Sequence, residues 1–417
     1  MQKRQTVILF QKPSVTGKRV RIALKAESGK RGAASVPRKK RSAADRVRRK
    51  AAISRKVAVP LRRSEPKKGK RRQVRRVLFK RPRQRAKVRT SSVHFEQGFR
   101  MGKRDASRFS IAHEPNPAKA LNRYWIDRVK RRNLASAPRH HYSKAAAGYV
   151  RGFFHAKGRP APDWVLLPTD KSVAAVISTM NEQSTIGALL KELGRLPLDE
   201  TYVIVNGSTD RSFEEARKIP SAVVLSYPDP LGHDVGRVVG AKLAQSDIVL
   251  FLDGDIPVEA EKLIPFIHGV DRGLDLSLNN ISPFLKPFHK RDQVTYLKEF
   301  LNASLGRPDL AANSLTAVPH ALSRKAIQVL GPQELSVPPK AQAKAVYSGL
   351  SIGSPGSIDV IRANKRRKSN QGHHNQVADL IIGDHVEAFK LAEELAGARL
   401  GFADELRKRG IAAGGDA

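Results

Sequence analysis

From Lys171 onward, short apolar runs alternate with helical stretches, and no other feature of the chain narrows its fold as far. Residues 173–177, 201–205, 222–225 and 248–252 are nearly continuous apolar runs of strand length. After the first of them, Ile186, Leu189, Leu190 and Leu193 recur at i, i+3, i+4, i+7, with Ser184 as the candidate helix cap. Strands that are apolar on both faces must be covered on both faces, and helices between them supply the cover. The pattern predicts an α/β domain with a mostly parallel sheet and flanking helices. Ligands of such sheets bind beyond the carboxyl ends of the strands, so the residues that follow each strand are the candidates for function.

Charge divides the chain in two. Its 417 residues hold 78 Lys and Arg against 38 Asp and Glu, a formal +40, yet residues 171–417 carry equal numbers of each sign. The whole excess therefore lies in residues 1–170, which excludes a uniformly basic protein that coats nucleic acid. Blocks such as Arg38-Lys39-Lys40-Arg41 recur with few aromatics and no sustained period. Such a stretch buries too little apolar surface to offset its ordering entropy, so a disordered polybasic extension is expected over 1–107. It reads either as a solvated polycation or as an anchor to a polyanion: nucleic acid, acidic polysaccharide or an anionic membrane surface. Without aromatic platforms, such binding would be salt-sensitive and nearly blind to sequence.

Residues 108–168 read as a helical linker, with helical stretches at 118–132 and 142–154. Trp164-Val165-Leu166-Leu167-Pro168 reads as a segment docking on the domain 169–417. The absence of cysteine excludes disulfides, thiolate metal sites and a cysteine nucleophile, and suits a reducing interior. Apolar runs such as 248–252 fall far short of the roughly 18 residues of a membrane span. The first residues lack a secretory pattern, and a transit peptide of about 100 residues would be long. A cytoplasmic protein, associated with a polyanionic surface, is expected.

Three polar segments follow strands: Ser178-Thr179-Met180-Asn181-Glu182, then Asn206-Gly207-Ser208-Thr209-Asp210, then Asp253-Gly254-Asp255. The second also reads as a plain turn and helix cap. In the third, two carboxylates on one short turn invite a hard cation with oxygen ligands, Gly254 letting the backbone bend so that both converge. Magnesium or manganese held this way keeps positions open for phosphate oxygens, whereas bare carboxylates would repel a diphosphate. Between the third and fourth strands lies Leu231-Gly232-His233-Asp234-Val235-Gly236-Arg237-Val238-Val239-Gly240, a candidate helix capped by Asp234. Its glycines suit a helix lying close to the sheet; alternatively, His233 or Arg237 stands near a leaving phosphate, where cationic donors stabilise developing charge.

The order STMNE, NGSTD, LGHDVGRVVGA, DIVLFLDGD resembles the nucleotide-sugar half of family 2 glycosyltransferases over roughly residues 170–270, and more weakly to about 400. The resemblance implies a GT-A (Rossmann-like) fold, a nucleotide-diphosphate sugar as donor, and Mn2+ or Mg2+ as cofactor. It implies Asn181 and Glu182 in the nucleotide pocket, Asp253 on the ribose and metal side, and Asp255 as principal metal ligand. Arg237 matches the arginine of the helix before the DXD strand. Val205 and Asn206 stand where the family commonly has two aspartates, so base recognition by a carboxylate is either lost or replaced by the Asn206 amide.

Inverting members carry a glutamate-aspartate pair downstream, whose aspartate deprotonates the acceptor. The matching region, Leu335-Ser336-Val337-Pro338-Pro339-Lys340-Ala341-Gln342, has no carboxylate. Either another residue acts, or configuration is retained, or the site is inactive. Some retaining GT-A enzymes use a late histidine as an additional metal ligand, and His320 is the candidate for that role, or else an ordinary partly buried histidine. On a helix over 377–395, Asp384 and His385 read as a surface pair or as groups near the acceptor. Gly372-His373-His374-Asn375 and the cationic Lys365-Arg366-Arg367-Lys368 complete the late features. The expected function is a metal-dependent glycosyltransferase with an unknown acceptor. The competing one is a catalytically degenerate GT-A protein that binds a polyanion. A nucleotidyltransferase is disfavoured, because no glycine-rich basic loop follows the first strand.

Overall fold

The structure, a computed structural model, describes residues 7–9, 85–363, 375–407 and 409. Its strands are β1 (Val7–Leu9), β2 (Val173–Thr179), β3 (Glu200–Asn206), β4 (Val223–Tyr227), β5 (Ile248–Asp253), β6 (Leu276–Asn279), β7 (His320–Ser323) and β8 (Ile352–Gly356). Among the described residues they form one sheet in the order β1-β4-β3-β2-β5-β7-β6-β8. All neighbours run parallel except β7, which is antiparallel to both β5 and β6. This is the mostly parallel, helix-flanked sheet that the apolar runs predict.

Apolar continuity explains the layering. Ala175 and Ile177 of β2, with Leu250 and Leu252 of β5, face one core; Ala174, Val176, Val249 and Phe251 face the other. The chain lays β3 and β4 to one side of β2, then returns to place β5 on the other side. Strand order thus reverses between β2 and β5, and a crevice opens beyond their carboxyl ends, where Ser178 stands opposite Asp253. The helix Val235–Leu243 lies against β2 because two of its residues lack a Cβ. One built on Gly240 would come 2.1 Å from Val176 Cγ1, and one on Gly236 would come 2.6 Å from Ser178 Oγ. The close-packing reading of those glycines is the one the fold uses. The first helix of the domain, Ile186–Leu193, starts after Thr185 rather than Ser184, with no side-chain cap.

The expectation of disorder up to residue 107 needs correction. Arg85–Ala106 is a helix, and it packs along Arg139–Ala156 with backbones in contact. Gly98 and Gly102 on one helix meet Gly148 and Gly152 on the other. A Cβ on Gly152 would lie 2.0 Å from the Phe99 carbonyl oxygen, and one on Gly102 would lie 2.1 Å from that of Tyr149. A third helix, Pro117–Arg132, is capped by Asn116, whose side chain accepts from the Lys119 N–H at 3.0 Å.

Residues 108–168 do more than link. Trp125 Nε1 donates to Tyr142 Oη, which donates to the Leu166 carbonyl, each at 2.9 Å. Asn122 ties this segment to Leu167 and Thr169, and buried Asp105 accepts from Arg128 and Tyr149. Trp125, Tyr149 and Leu166 share one hydrophobic cluster with Val173, Ile177 and Phe266, so the helices cover one face of the sheet. Apart from β1, the rest of the expected extension, together with Lys365-Arg366-Arg367-Lys368 and Gly372-His373-His374, lies outside the described residues. No helix among the described residues is long and apolar enough to cross a membrane.

Candidate functional site

A cleft of about 880 Å³ opens beyond β2, β3 and β5 and is closed on its far side by residues from 281–298, 316–318, 360–362 and 377–381. Both carboxylates of the 253–255 turn line it, as do Glu182, Asn206, His233 and Arg237. Gly254 serves the turn differently from the expectation. Its φ is not left-handed; the glycine is needed for space, because a Cβ there would sit 2.6 Å from Thr179 Oγ1. The turn is thereby pressed onto the end of β2, which holds Asp253 and Asp255 at the crevice.

Arg237 anchors this end of the cleft. The residue is 5% exposed, and its guanidinium lies 2.9 Å from Asp234 Oδ1 and 3.5 Å from Asp253 Oδ1, while donating to the Leu315 carbonyl at 3.3 Å. Burial works against its charge, but the two carboxylates outweigh it and hold Arg237 above its ordinary value. Asp234 makes no side-chain cap on the helix, contrary to expectation, because its carboxylate is committed to Arg237. His233 next to it is about half exposed, 3.8 Å from Asp234 Oδ2.

The asparagines act on the loops. Asn206 Oδ1 accepts from the Leu231 N–H at 2.6 Å and its Nδ2 donates to the Gly232 carbonyl at 3.0 Å, which fixes the loop carrying His233. Asn181 is exposed, with φ +58, and is not among the cleft residues; its Oδ1 accepts from the Thr209 N–H at 2.8 Å and ties the β2 turn to the β3 turn. Glu182, 2% exposed, does line the cleft, and its backbone N–H donates to Ser212 Oγ at 2.7 Å.

His320 departs furthest from its assigned role. It opens β7 at 2% exposure, packs its ring on Phe251 at 5.3 Å, and is absent from the cleft wall. Burial, with Arg237 of like sign nearby, pushes it down to about 3, so it is neutral at physiological pH. A histidine that charges only when unfolded destabilises the folded chain as pH falls below about 6.5, its ordinary value. Urea melts at pH 7 and pH 5 should show this site costing about 2 kcal/mol at the lower pH. The slope should flatten in His320→Phe, and an unchanged slope would count against a neutral buried ring.

Where a downstream carboxylate was sought, the helix Pro338–Tyr347 instead carries Gln342, fully buried, whose Oε1 accepts from the Leu315 N–H at 2.9 Å. Among the described residues, no cluster of three or more His, Asp or Glu side chains is arranged to hold a metal. Asp384 and His385 are buried, which corrects the surface-pair expectation. Their helix, Gln376–Ala396, seats Ala388 and Ala392 against Leu301 of Gln293–Ser304 and Ala343 of Pro338–Tyr347. Burial first, then Asp234 and Glu387, push Asp384 up to about 6, with His233 opposing.

Sequence reasoning missed Lys298. It projects from Gln293–Ser304 into the cleft wall, half-buried, and burial pushes it down to about 8. A single lysine on an amphipathic helix carries no local mark of its surroundings.

Comparison with known proteins gives one family and several relatives. Residues 174–319 match the sequence model of "Glycosyl transferase family 2". A "Dolichyl-phosphate hexose transferase" of Haloferax volcanii is 29% identical over 109 residues, 26% of this chain and 47% of the relative. A "4,4'-diaponeurosporenoate glycosyltransferase" of Staphylococcus haemolyticus is 28% identical over 123 residues, 28% of this chain and 33% of the relative. The chain thus spans less than half the length of either. The crystal structure of glucosyl-3-phosphoglycerate synthase from Mycobacterium tuberculosis with UDP is 19% identical, with a TM-score of 0.40, over 56% of this chain and 82% of that one.

Proposed function

We propose, from the premise that residues 174–319 belong to glycosyl transferase family 2, that this chain moves a sugar from a nucleotide diphosphate to an acceptor hydroxyl in the cleft beyond β2 and β5. The observation that carries the reading is the 253–255 turn. At the point where strand order reverses, it puts two carboxylates into one cleft beside a buried arginine. Hard oxygen donors on a turn closed tightly against β2 suit Mg2+ or Mn2+, and Asp253 and Asp255 would hold it. Such an ion supplies charge neutralisation to the diphosphate leaving group.

The chain's own groups do the rest. Arg237 orients Asp253 and keeps a fixed positive charge at that end of the cleft, in surroundings where water cannot screen it fully. Asn206 holds the 231–232 loop and so sets the position of His233. We further propose that the polybasic residues 1–84 attach the enzyme to a polyanion without taking part in the chemistry. Removing residues 14–83 is expected to leave turnover on a soluble acceptor unchanged. A large loss in that assay would overturn the division of labour. Truncation at 107 is a different experiment, because it deletes the helix Arg85–Ala106 from the core.

Gln342 favours a second reading. With an amide committed to structure where inverting members place their base, the chain would be a GT-A protein without catalysis that binds a polyanion. Thermal shifts with UDP-, GDP- and ADP-sugars plus manganese separate the two. Metal-dependent stabilisation supports the transferase, and indifference to every donor with salt-sensitive nucleic-acid binding supports the binder.

A further inference from the structure

We propose that Lys298 docks an anionic group, phosphate or carboxylate, of the acceptor substrate, a specificity that rests on the transferase reading above. The wall opposite the strand ends carries the cations Lys286, Arg291, Lys298 and Arg362. Arg291 is paired with Glu299, and Arg362 with Asp359 at 3.5 Å. Among the described residues, neither Lys286 nor Lys298 has a carboxylate oxygen within 4.0 Å or a side-chain hydrogen bond, but Lys286 is exposed to water whereas Lys298 is half-buried. A partly desolvated ammonium without a counter-charge is costly, and a cleft that keeps one stands ready for an anion.

The surrounding charges leave that need unmet. Asp292 at the start of its own helix and Asp234 from the facing loop favour the ammonium form, Arg237 opposes it, and burial outweighs the favourable ones. From the helix Gln376–Ala396 comes His385, held below its ordinary value by burial and by Lys298, with its hydrogen bond to the Ile381 carbonyl opposing. Val294, Ile361 and Ile381 flank the wall with apolar surface, so an anion bound here would meet the ammonium in a medium of lowered dielectric. The place beside Asp253 belongs to Arg237, which leaves Lys298 for the other substrate.

The test uses the full chain and calorimetric titration at fixed ionic strength. Inorganic phosphate and acetate are the anion probes, and UDP with Mn2+ is the donor probe. The wild-type chain should show a phosphate or acetate site that weakens about 10–100-fold in Lys298→Met, as loss of a hydrogen bond to a charged group implies. Lys298→Arg should restore most of it, and UDP with Mn2+ should bind all three proteins alike. Whichever probe loses more tells a phosphate from a carboxylate site. Equal anion binding by wild type and Lys298→Met overturns the proposal. So does a parallel loss of UDP binding, which would place Lys298 in the donor site. A wild-type chain indifferent to UDP with Mn2+ counts instead against the transferase reading, which the phosphate titration registers separately.

Discussion

Asp255→Ala should remove metal-dependent turnover of a nucleotide sugar, with a loss of at least about 10²–10³-fold in kcat, the scale of deleting one preorganised electrostatic contact to a leaving group. The expectation follows from position. Asp255 belongs to the turn that leaves β5, lines the cleft, and sits one residue beyond a glycine whose missing Cβ lets the turn press on Thr179. Asp255→Asn is the sharper variant, since it keeps shape and removes the charge that a hard cation requires. Asp253→Ala should cost as much activity but also stability, because Arg237 would keep only Asp234 as a carboxylate partner at 5% exposure. Activity assays across Mg2+ and Mn2+, paired with melts of each variant, separate the two effects. Wild-type turnover in both Asp255 variants would remove this turn from the chemistry.

Gly152→Ala should be strongly destabilising for so conservative a substitution. Its Cβ would fall 2.0 Å from the Phe99 carbonyl oxygen, a backbone atom that cannot turn aside, so the helices Arg85–Ala106 and Arg139–Ala156 must separate. Overpacking on this scale costs about 3 kcal/mol, or roughly 6–12 °C in the melting midpoint of a region this large. Gly383→Ala is the control. It lies inside the helix Gln376–Ala396 with nothing within 4 Å of a built Cβ, so helix propensity alone acts and stability should rise by up to about 1 kcal/mol. Equal melting temperatures in the two variants would mean that the close helix contact does not hold in solution.

The sequence alone determined the sheet and the address of the candidate site. Apolar runs of strand length alternating with helical periods suffice for a parallel α/β layer. Polar residues at the ends of buried strands surface where ligands bind, so Glu182, Asn206, Asp253 and Asp255 could be named without coordinates, and Arg237 from the glycine-spaced helix before β5. Both properties are local in the chain, and local pattern is what a sequence displays. Tertiary structure decided the rest, because burial and partners come from residues far away. It turned Asn181 to its neighbouring loop, shut His320 against Phe251, sank Asp384 and His385 between helices, and half-buried Lys298 with no ion-pair partner among the described residues. It also drew the helix Arg85–Ala106 out of a polybasic stretch whose composition promised only disorder. The four glycines that allow this lie 4 residues apart on each helix and acquire meaning only when the two backbones meet.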